Sequence, residues 1–507
     1  MFGFFKKHQI LTFFLSFFAL EILSFFGFLY PPAGAALFWI AAASVLIVSL
    51  WRIEYGLLIV LAELLIGSKG YLFALDFGGT TVSIRLALFL VVMGVWLAGF
   101  IIKKQYRGFW TRIPFLGWYA LIFAALGLGS AQALILGNNF SNLFFDLNGY
   151  LYFALLFPLA DVFGRADARK RLGEIAVAAI TWVSIKTFLV FFVFAHGLWL
   201  YMPSVYTWIR TTGVGEIVKM DGNFYRVFFQ GHVYQLIALI ILLGIAGYAA
   251  SGQRQQARGQ KFFWFFSILM MSVVLLSFSR SFWVGMAVGI IALLGIMRYR
   301  FSAPLYGYVK FFGIAGGVAG ASIIFLFALM NVPPTKGDLL SPASLISERA
   351  TTQEAAGQSR LELLKPLWSG ILKHPFLGSG FGSTVTYHTK DPRALQSNPS
   401  GEYTTFAFEW GYLDIWYKMG LFGLIAFGGL LGSIYWSLWQ AMRKTSENTL
   451  FGFDDRAMAA GFFASITALA AVHFFTPYIT HPLGIGFILV SSLFAAIINK
   501  STANSKS

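Results

Sequence analysis

Residues 262–297 read FFWFFSILMMSVVLLSFSRSFWVGMAVGIIALLGIM, two long apolar runs joined by a few residues that carry a single charge, Arg280. Each run is close to the roughly 17–25 apolar residues that span a bilayer. The junction LSFSRSFWVG (276–285) leaves too little chain for anything but a tight hairpin. An arginine left in hydrocarbon costs about 2.5 kcal/mol or more. Arg280 therefore belongs at a membrane surface or beside a partner, and the flanking runs read as a pair of membrane-spanning helices.

The same pattern recurs along all 507 residues, which are 58% hydrophobic, 18% aromatic and only 11% charged. A soluble domain carries roughly 25% charged residues. Hydropathy predicts helices near 10–30, 34–50, 56–67, 84–102, 113–130, 146–160, 173–198, 232–250, 262–278, 281–297, 309–330, 411–441, 457–477 and 482–498. The third is short, and reads as a half-span or as one continuing into 68–83. An all-α polytopic membrane protein of about 12–14 crossings follows. The run Ile10–Tyr30 follows Lys6 and Lys7 in the manner of a signal peptide. It is longer than a usual signal core and many spans come after it, so it reads as a retained helix. With no cysteine, disulfide and thiolate chemistry are excluded. The formal charge of +16 would point a soluble chain toward nucleic acid. Here it asks on which side of a bilayer the charges lie, and no nucleic-acid partner is expected.

Basic residues concentrate in alternate connections: Lys6 and Lys7, KKQYRGFWTR (103–112), GRADARKR (164–171), RQQARGQK (254–261), RYR (298–300) and RK (443–444). Cytoplasmic loops retain Lys and Arg, so both termini are predicted to be cytoplasmic. The organisation expected is a first group of spans over 1–198, an extracytoplasmic loop 199–231, central spans 232–330, a large extracytoplasmic loop 331–410 and final spans with a tail over 411–507. The tail KSTANSKS reads as disordered. No tandem repeat is visible. The hairpin at Arg280 falls on the same outer side as both long loops.

The first outer loop carries Arg210, Lys219 and Arg226, and the second carries Arg360, Lys365, Lys373 and His374 within GQSRLELLKPLWSGILKHPFLGSGFG. There Leu361, Leu364, Trp368, Ile371 and Leu372 are spaced as the apolar face of an amphipathic helix along the outer membrane surface. Pro366 would start or kink it and divide it into two pieces. Gly378, Gly380 and Gly382 suit a tight turn with exposed backbone N–H groups. Arginines pooled on one face fit an anion, because the guanidinium fork makes paired, charge-assisted hydrogen bonds to phosphate oxygens. In a membrane that anion is a lipid-linked phosphate or diphosphate. The plainer reading of each is an interfacial anchor or a solvated helix face. The outer loops hold no paired carboxylates for a divalent cation, and the histidines at 196, 232, 374, 388 and 481 lack zinc spacing. GSGFG lacks the Lys-Ser/Thr of a nucleotide loop, and there is no nucleophile elbow. Neither metal nor cofactor is expected.

RVFFQGHVYQL, SFSRSFWVG and RLELLKPLWSGILKHPFLGSGFG, followed by KMGLFG at 418–423, together resemble the O-antigen ligase and O-antigen polymerase superfamily of bacterial membrane glycosyltransferases over roughly 200–430. The third piece, an arginine, a tryptophan and a Pro-x-x-Gly-x-Gly run, is the most specific. The resemblance implies a GT-C-like fold in the bacterial inner membrane. It implies a donor glycan on undecaprenyl diphosphate and a hydroxyl acceptor on lipid A–core or a growing polymer. It also implies metal-independent, inverting transfer on the extracytoplasmic face. It assigns Arg226, Arg280 and Arg360 to the diphosphate, with Arg210, Gly378 and Gly380 as loop support. Where the family carries His-Asn, about eleven residues before its glycine ending, EWGYLDIWYKMG places Glu409. A carboxylate can serve as the base if burial raises its pKa, and His388 is a second candidate. A helix-terminal charge is the plainer reading of Glu409. A lipid-linked glycan flippase and an inactive scaffold are the competing classes. A carrier would be expected to place ionisable residues mid-membrane, and here they are few, chiefly Lys186 and Glu63.

Overall fold

In lipid each backbone N–H and C=O must be satisfied within its own segment, so the apolar runs fold as helices. A computed structural model describes residues 9–77, 80–104, 108–212, 215–220, 224–253, 260–333, 355–443, 449–450 and 453–504. Lys6 and Lys7, the basic stretch 254–259, Lys444 and the segment 334–354 of the second long loop lie outside those residues.

Every helix expected from hydropathy is present. In chain order they are α1 (Gln9–Leu29), α2 (Pro31–Trp51), α3 (Ile53–Ile66), α4 (Ile84–Ile102), α5 (Leu116–Ile135), α6 (Phe140–Asn148), α7 (Leu156–Val162) and α8 (Ala166–Ala195). They continue as α9 (Pro203–Thr212), α10 (Val233–Ala250), α11 (Gln260–Leu276), α12 (Arg280–Tyr299) and α13 (Leu305–Asn331). The chain ends through α14 (Ala355–Lys373), α15 (Pro392–Ser397), α16 (Gly411–Ala441), α17 (Asp455–Phe475) and α18 (Pro482–Asn504). Among the described residues, 12 helices are long and apolar enough to cross a membrane, with Phe140–Val162 counted as one. The protein is an all-α polytopic membrane protein.

Four two-stranded antiparallel hairpins join helices. They are β1–β2 (Ala74–Phe77, Thr80–Ser83), β3–β4 (Glu216–Lys219, Tyr225–Phe228), β5–β6 (Val385–His388, Glu402–Thr405) and β7–β8 (Thr449–Leu450, Phe453–Asp454). The short third helix does not continue into 68–83: Gly70 turns the chain at φ 91° and the β1–β2 hairpin follows. The expected 146–160 span starts earlier and is broken by a 3₁₀ stretch at Gly149–Leu155, which packs against α18.

The centre of the bundle is α17, packed between α10 and α12. Its sequence, DRAMAAGFFASITALAAVHFF, is rich in small residues. Without a hydrophobic force between helices in lipid, close backbone approach is what holds them together. On α12, Gly285 and Gly289 form a Gly-x-x-x-Gly step against Ala464, Ala468 and Val472 of α17. A Cβ at Gly285 would stand 2.5 Å from Val472 Cγ2 and 2.9 Å from the Ala468 oxygen. Gly285 lies beside Val472 and Gly289 beside Ala468, so the two helices run antiparallel. The start of α12 is therefore level with the end of α17. Gly244 on α10 meets Gly461 in the same manner.

Buried charges are more numerous than the sequence indicated. Lys186 pairs with Glu21 at 2.7 Å, and Arg85 with Glu63 at 2.7 Å. Arg85 is buried in the first turn of α4. Glu21 and Glu63 thus each meet a cation from another helix, the arrangement that makes burial tolerable.

Gly285→Val should push α12 from α17 and lower stability by about 2 kcal/mol or more, as overpacking does. Gly295→Ala, where a Cβ meets nothing within 4 Å, should leave it unchanged. Thermal unfolding in detergent with a fluorescent or light-scattering readout checks both; equal melting temperatures would remove the close-packing account.

Candidate functional site

The turn between α11 and α12 occupies three residues, Ser277 to Ser279, with Phe278 in the left-handed region at φ 44°. Arg280 is the first residue of α12, its side chain is exposed, and Ser279 is the N-cap. A cation there adds to the positive end of the helix dipole, so the local potential favours an anion.

The β3–β4 hairpin brings Arg226 to this turn. Val218 stands opposite Arg226 in the register. Glu216, two residues along and on the same face, accepts a 2.6 Å hydrogen bond from Arg226 Nη1. Arg226 Nε donates to the Ser277 carbonyl at 2.8 Å, tying the hairpin to the turn that ends at Arg280. The Phe228 and Phe282 rings meet at 5.7 Å, and Phe282 meets Tyr478 at 5.9 Å, just beyond the end of α17.

Arg360 reaches the same end of α17 from the second long loop. Trp410 packs on Phe474 and Phe475 at 5.5 and 6.1 Å, and its indole N–H donates to the Arg360 carbonyl at 2.9 Å. The Arg360 guanidinium is ion-paired with Glu409. Three distant stretches therefore carry Arg226, Arg280 and Arg360 to one end of one helix. Arg210 stands elsewhere, exposed on α9, whose Trp208 packs on Phe25 of α1 at 5.2 Å.

The surroundings of Glu409 differ from those its role as a base called for. Its side chain is 47% exposed and already engaged by Arg360. The burial expected of it is absent. His388 is exposed on β5. It alternates with Tyr387, which points inward and meets Ser359 Oγ on α14 at 2.9 Å through its hydroxyl. His473, passed over in the sequence, is fully buried at the end of α17. Its Nδ1 accepts from the Ile479 N–H at 3.2 Å, and its ring meets Tyr412 edge-on at 4.7 Å, holding the start of α16 in place.

The helix α14 forms in one piece with Pro366 inside it. The face it buries is Leu363, Leu367 and Ile371, against Val385, Tyr387, Phe408 and Tyr417. Of the stripe expected from spacing only Ile371 is buried; Leu361, Trp368 and Leu372 are exposed at 62%, 45% and 61%. The reason is that the hairpin and α16 press on a side of the helix one residue round from the larger apolar stripe.

Gly378, Gly380 and Gly382 make the expected tight turns, with φ of 77°, 78° and 72°. Their N–H groups are not exposed. Those of Ser379 and Gly380 donate to the Tyr417 and Lys418 carbonyls at 2.7 and 3.1 Å, and that of Gly382 to Asp146 at 2.9 Å. The carbonyls of Pro375 and Phe376 accept from Leu421 and Phe422, whose N–H groups are released by a break in α16 at Gly420 (φ 66°, ψ −168°). Loop and broken helix thus satisfy each other's backbone. A Cβ at Gly380 would stand 2.4 Å from the Ala133 nitrogen, so this loop can seat against α5 only with glycine there. Under the knot Lys418 is buried between Asp146 at 2.5 Å and Asp414 at 2.6 Å. This triad was not read from the sequence. Its one local trace is the i, i+4 pair Asp414–Lys418.

Residues 265–428 match the family model described as O-Antigen ligase. Over that segment the chain is similar to the O-antigen ligase family. No curated protein matches the chain, and no solved structure matches it.

Lys418→Met would leave two carboxylates buried without a counter-charge and should destabilise by about 3–5 kcal/mol. Adding Asp146→Asn and Asp414→Asn should recover most of that loss. Melting curves of the single and triple variants test it; a triple variant no more stable than Lys418→Met would mean that charge is not what holds the knot.

Proposed function

We propose, from the O-antigen ligase domain carried by residues 265–428, that this protein transfers a glycan from undecaprenyl diphosphate to an acceptor hydroxyl on the outer face of the bacterial inner membrane. The observation that carries the reading is the delivery of Arg226, Arg280 and Arg360 to the same end of α17 by three separate stretches. Orientation follows from the opposite end of the bundle, where Arg112, Arg165, Arg298 and Arg443 cluster in the connections, as cytoplasmic loops do. The exposed Leu361, Trp368 and Leu372 of α14 then rest on the outer leaflet, where the donor's polyprenyl chain also lies.

The donor diphosphate binds beside Arg280, where guanidinium and helix terminus act together. It competes with Glu409 for Arg360, and the exchange releases the carboxylate. The acceptor oxygen attacks the anomeric carbon from the face opposite the diphosphate, and the bond to the diphosphate oxygen breaks with its electron pair. The acceptor proton passes to Glu409. Charge grows on the leaving diphosphate, and preplaced arginines stabilise it without a metal. Inversion follows from the single displacement. A polymerase of the same family would use the same site with a growing glycan as acceptor, and Glu409 in place of the family histidine favours an altered acceptor. A flippase or scaffold would release no glycan from the carrier.

In proteoliposomes holding a polyprenyl-diphosphate-linked glycan, Arg280→Ala should reduce transfer by about 10²–10³-fold, the effect of losing one oriented donor. Arg280→Lys should be nearly as impaired, because it keeps charge and loses the fork. Full activity in Arg280→Lys would reduce Arg280 to a surface anchor. Glu409→Gln should stop turnover while donor binding persists; unchanged turnover would remove Glu409 from the chemistry.

A further inference from the structure

The 20 residues of α12 carry the chain about 30 Å from Arg280 to the far end of the bundle. There Arg300, the C-cap of α12, lies with its guanidinium carbon 3.8 Å from the centre of the Trp439 ring on α16. Its Nε and Nη2 are buried without a hydrogen-bond partner. Burial and the neighbouring Arg443 cation pull its pKa below the ordinary arginine value. Arg443 is exposed and sits one turn beyond Trp439. A stacked, half-buried guanidinium with two nitrogens left without acceptors, and a second cation one turn from its tryptophan, is an arrangement that an anion would relieve.

Alongside runs an open groove of about 820 Å³ between α5, α16 and α18, lined by Phe115, Trp118, Gly429, Gly432, Trp436 and Gln440 among others. Gln440 stands one turn before Arg443 on the same helix, and its carbonyl accepts from the Arg443 N–H, so the groove ends beside that arginine. Tyr299, Leu305 and Tyr306 are highly exposed at this level, as residues at a membrane interface are.

We propose that Arg300, Arg443 and Trp439 form a phosphate site for an anionic phospholipid of the leaflet opposite the outer-loop hairpins, with an acyl chain laid in the groove. The two cations supply the charge complement for the headgroup phosphate, Trp439 holds one guanidinium flat, and the aromatic wall of Phe115, Trp118 and Trp436 takes the chain, with Ser433, Ser437, Gln440 and Asn499 on the polar side of the groove. The groove is what commits the site to a lipid rather than a free phosphate. The proposal rests on the helices crossing a membrane and is independent of glycan transfer, so failure of either leaves the other standing.

Native mass spectrometry of the purified full-length protein, titrated with phosphatidylglycerol, phosphatidylcholine or inorganic phosphate, tests it. The wild type should hold phosphatidylglycerol at least about tenfold more tightly than phosphatidylcholine, and Arg300→Gln and Arg443→Gln should each weaken it about tenfold. Arg443 is exposed, so that variant reports binding and not folding. Arg298→Gln, an equal loss of charge two residues earlier, should change nothing. Gly432→Phe, which fills the groove, should weaken the lipid and spare phosphate. Wild-type binding in both Arg300→Gln and Arg443→Gln overturns the proposal. So does an equal loss in Arg298→Gln, which would mean diffuse surface charge, or inorganic phosphate binding as tightly as the lipid.

Discussion

The close antiparallel contact of α12 with α17 sets the geometry of everything above it. Gly285 and Gly289 facing Ala464, Ala468 and Val472 allow the two backbones to approach without intervening side chains. That approach fixes the height of Arg280 against the end of α17. The hairpin carrying Arg226 then docks on the α11–α12 turn through the Ser277 carbonyl. The loop carrying Arg360 docks on Phe474 and Phe475 through Trp410. Each outer segment is thus measured from one helix pair, and a shift in that pair would move the arginines apart.

A second constraint holds the large loop down. The break at Gly420 releases backbone N–H groups that the carbonyls of Pro375 and Phe376 take up, while the glycine turns return N–H groups to Tyr417 and Lys418. This exchange lets irregular backbone sit at the membrane surface without unsatisfied groups. Lys418, Asp146 and Asp414 lie directly beneath and join α6 to the broken helix. The glycines therefore serve to seat the loop, their N–H groups already spent on protein carbonyls and Asp146.

The spans were legible because lipid demands long apolar segments whatever their partners, so hydropathy alone located them, while the earlier start and 3₁₀ break of the 146–160 span and the short helices Pro203–Thr212 and Pro392–Ser397 carried no such signal. The short hairpins were not, since four-residue strands between polar turns carry little periodic signal. The inward face of α14 was misread because two apolar stripes compete on it, and the choice is made by Tyr387 and Tyr417, which are remote in sequence. Lys418 was visible, but Asp146 lies 272 residues away and no local pattern joins them. The identity of Glu409 as the residue in the histidine's place was readable; its exposure and its pairing with Arg360 depend on how the loop folds.

That pairing gives the site a resting state. An arginine aimed at a diphosphate and a carboxylate aimed at a proton would each be poorly partnered while the site is empty. Joined to each other, both are satisfied, and at 39% and 47% exposure the pair remains in contact with solvent. An exposed ion pair is worth only about 0–1 kcal/mol, so in the proposed reaction a doubly charged diphosphate would displace the carboxylate at little cost. A buried pair would resist that exchange, and an isolated glutamate would lack the coupling between donor arrival and release of the base. On the proposed reading, the exposure of this pair is the property that would let donor binding control the carboxylate.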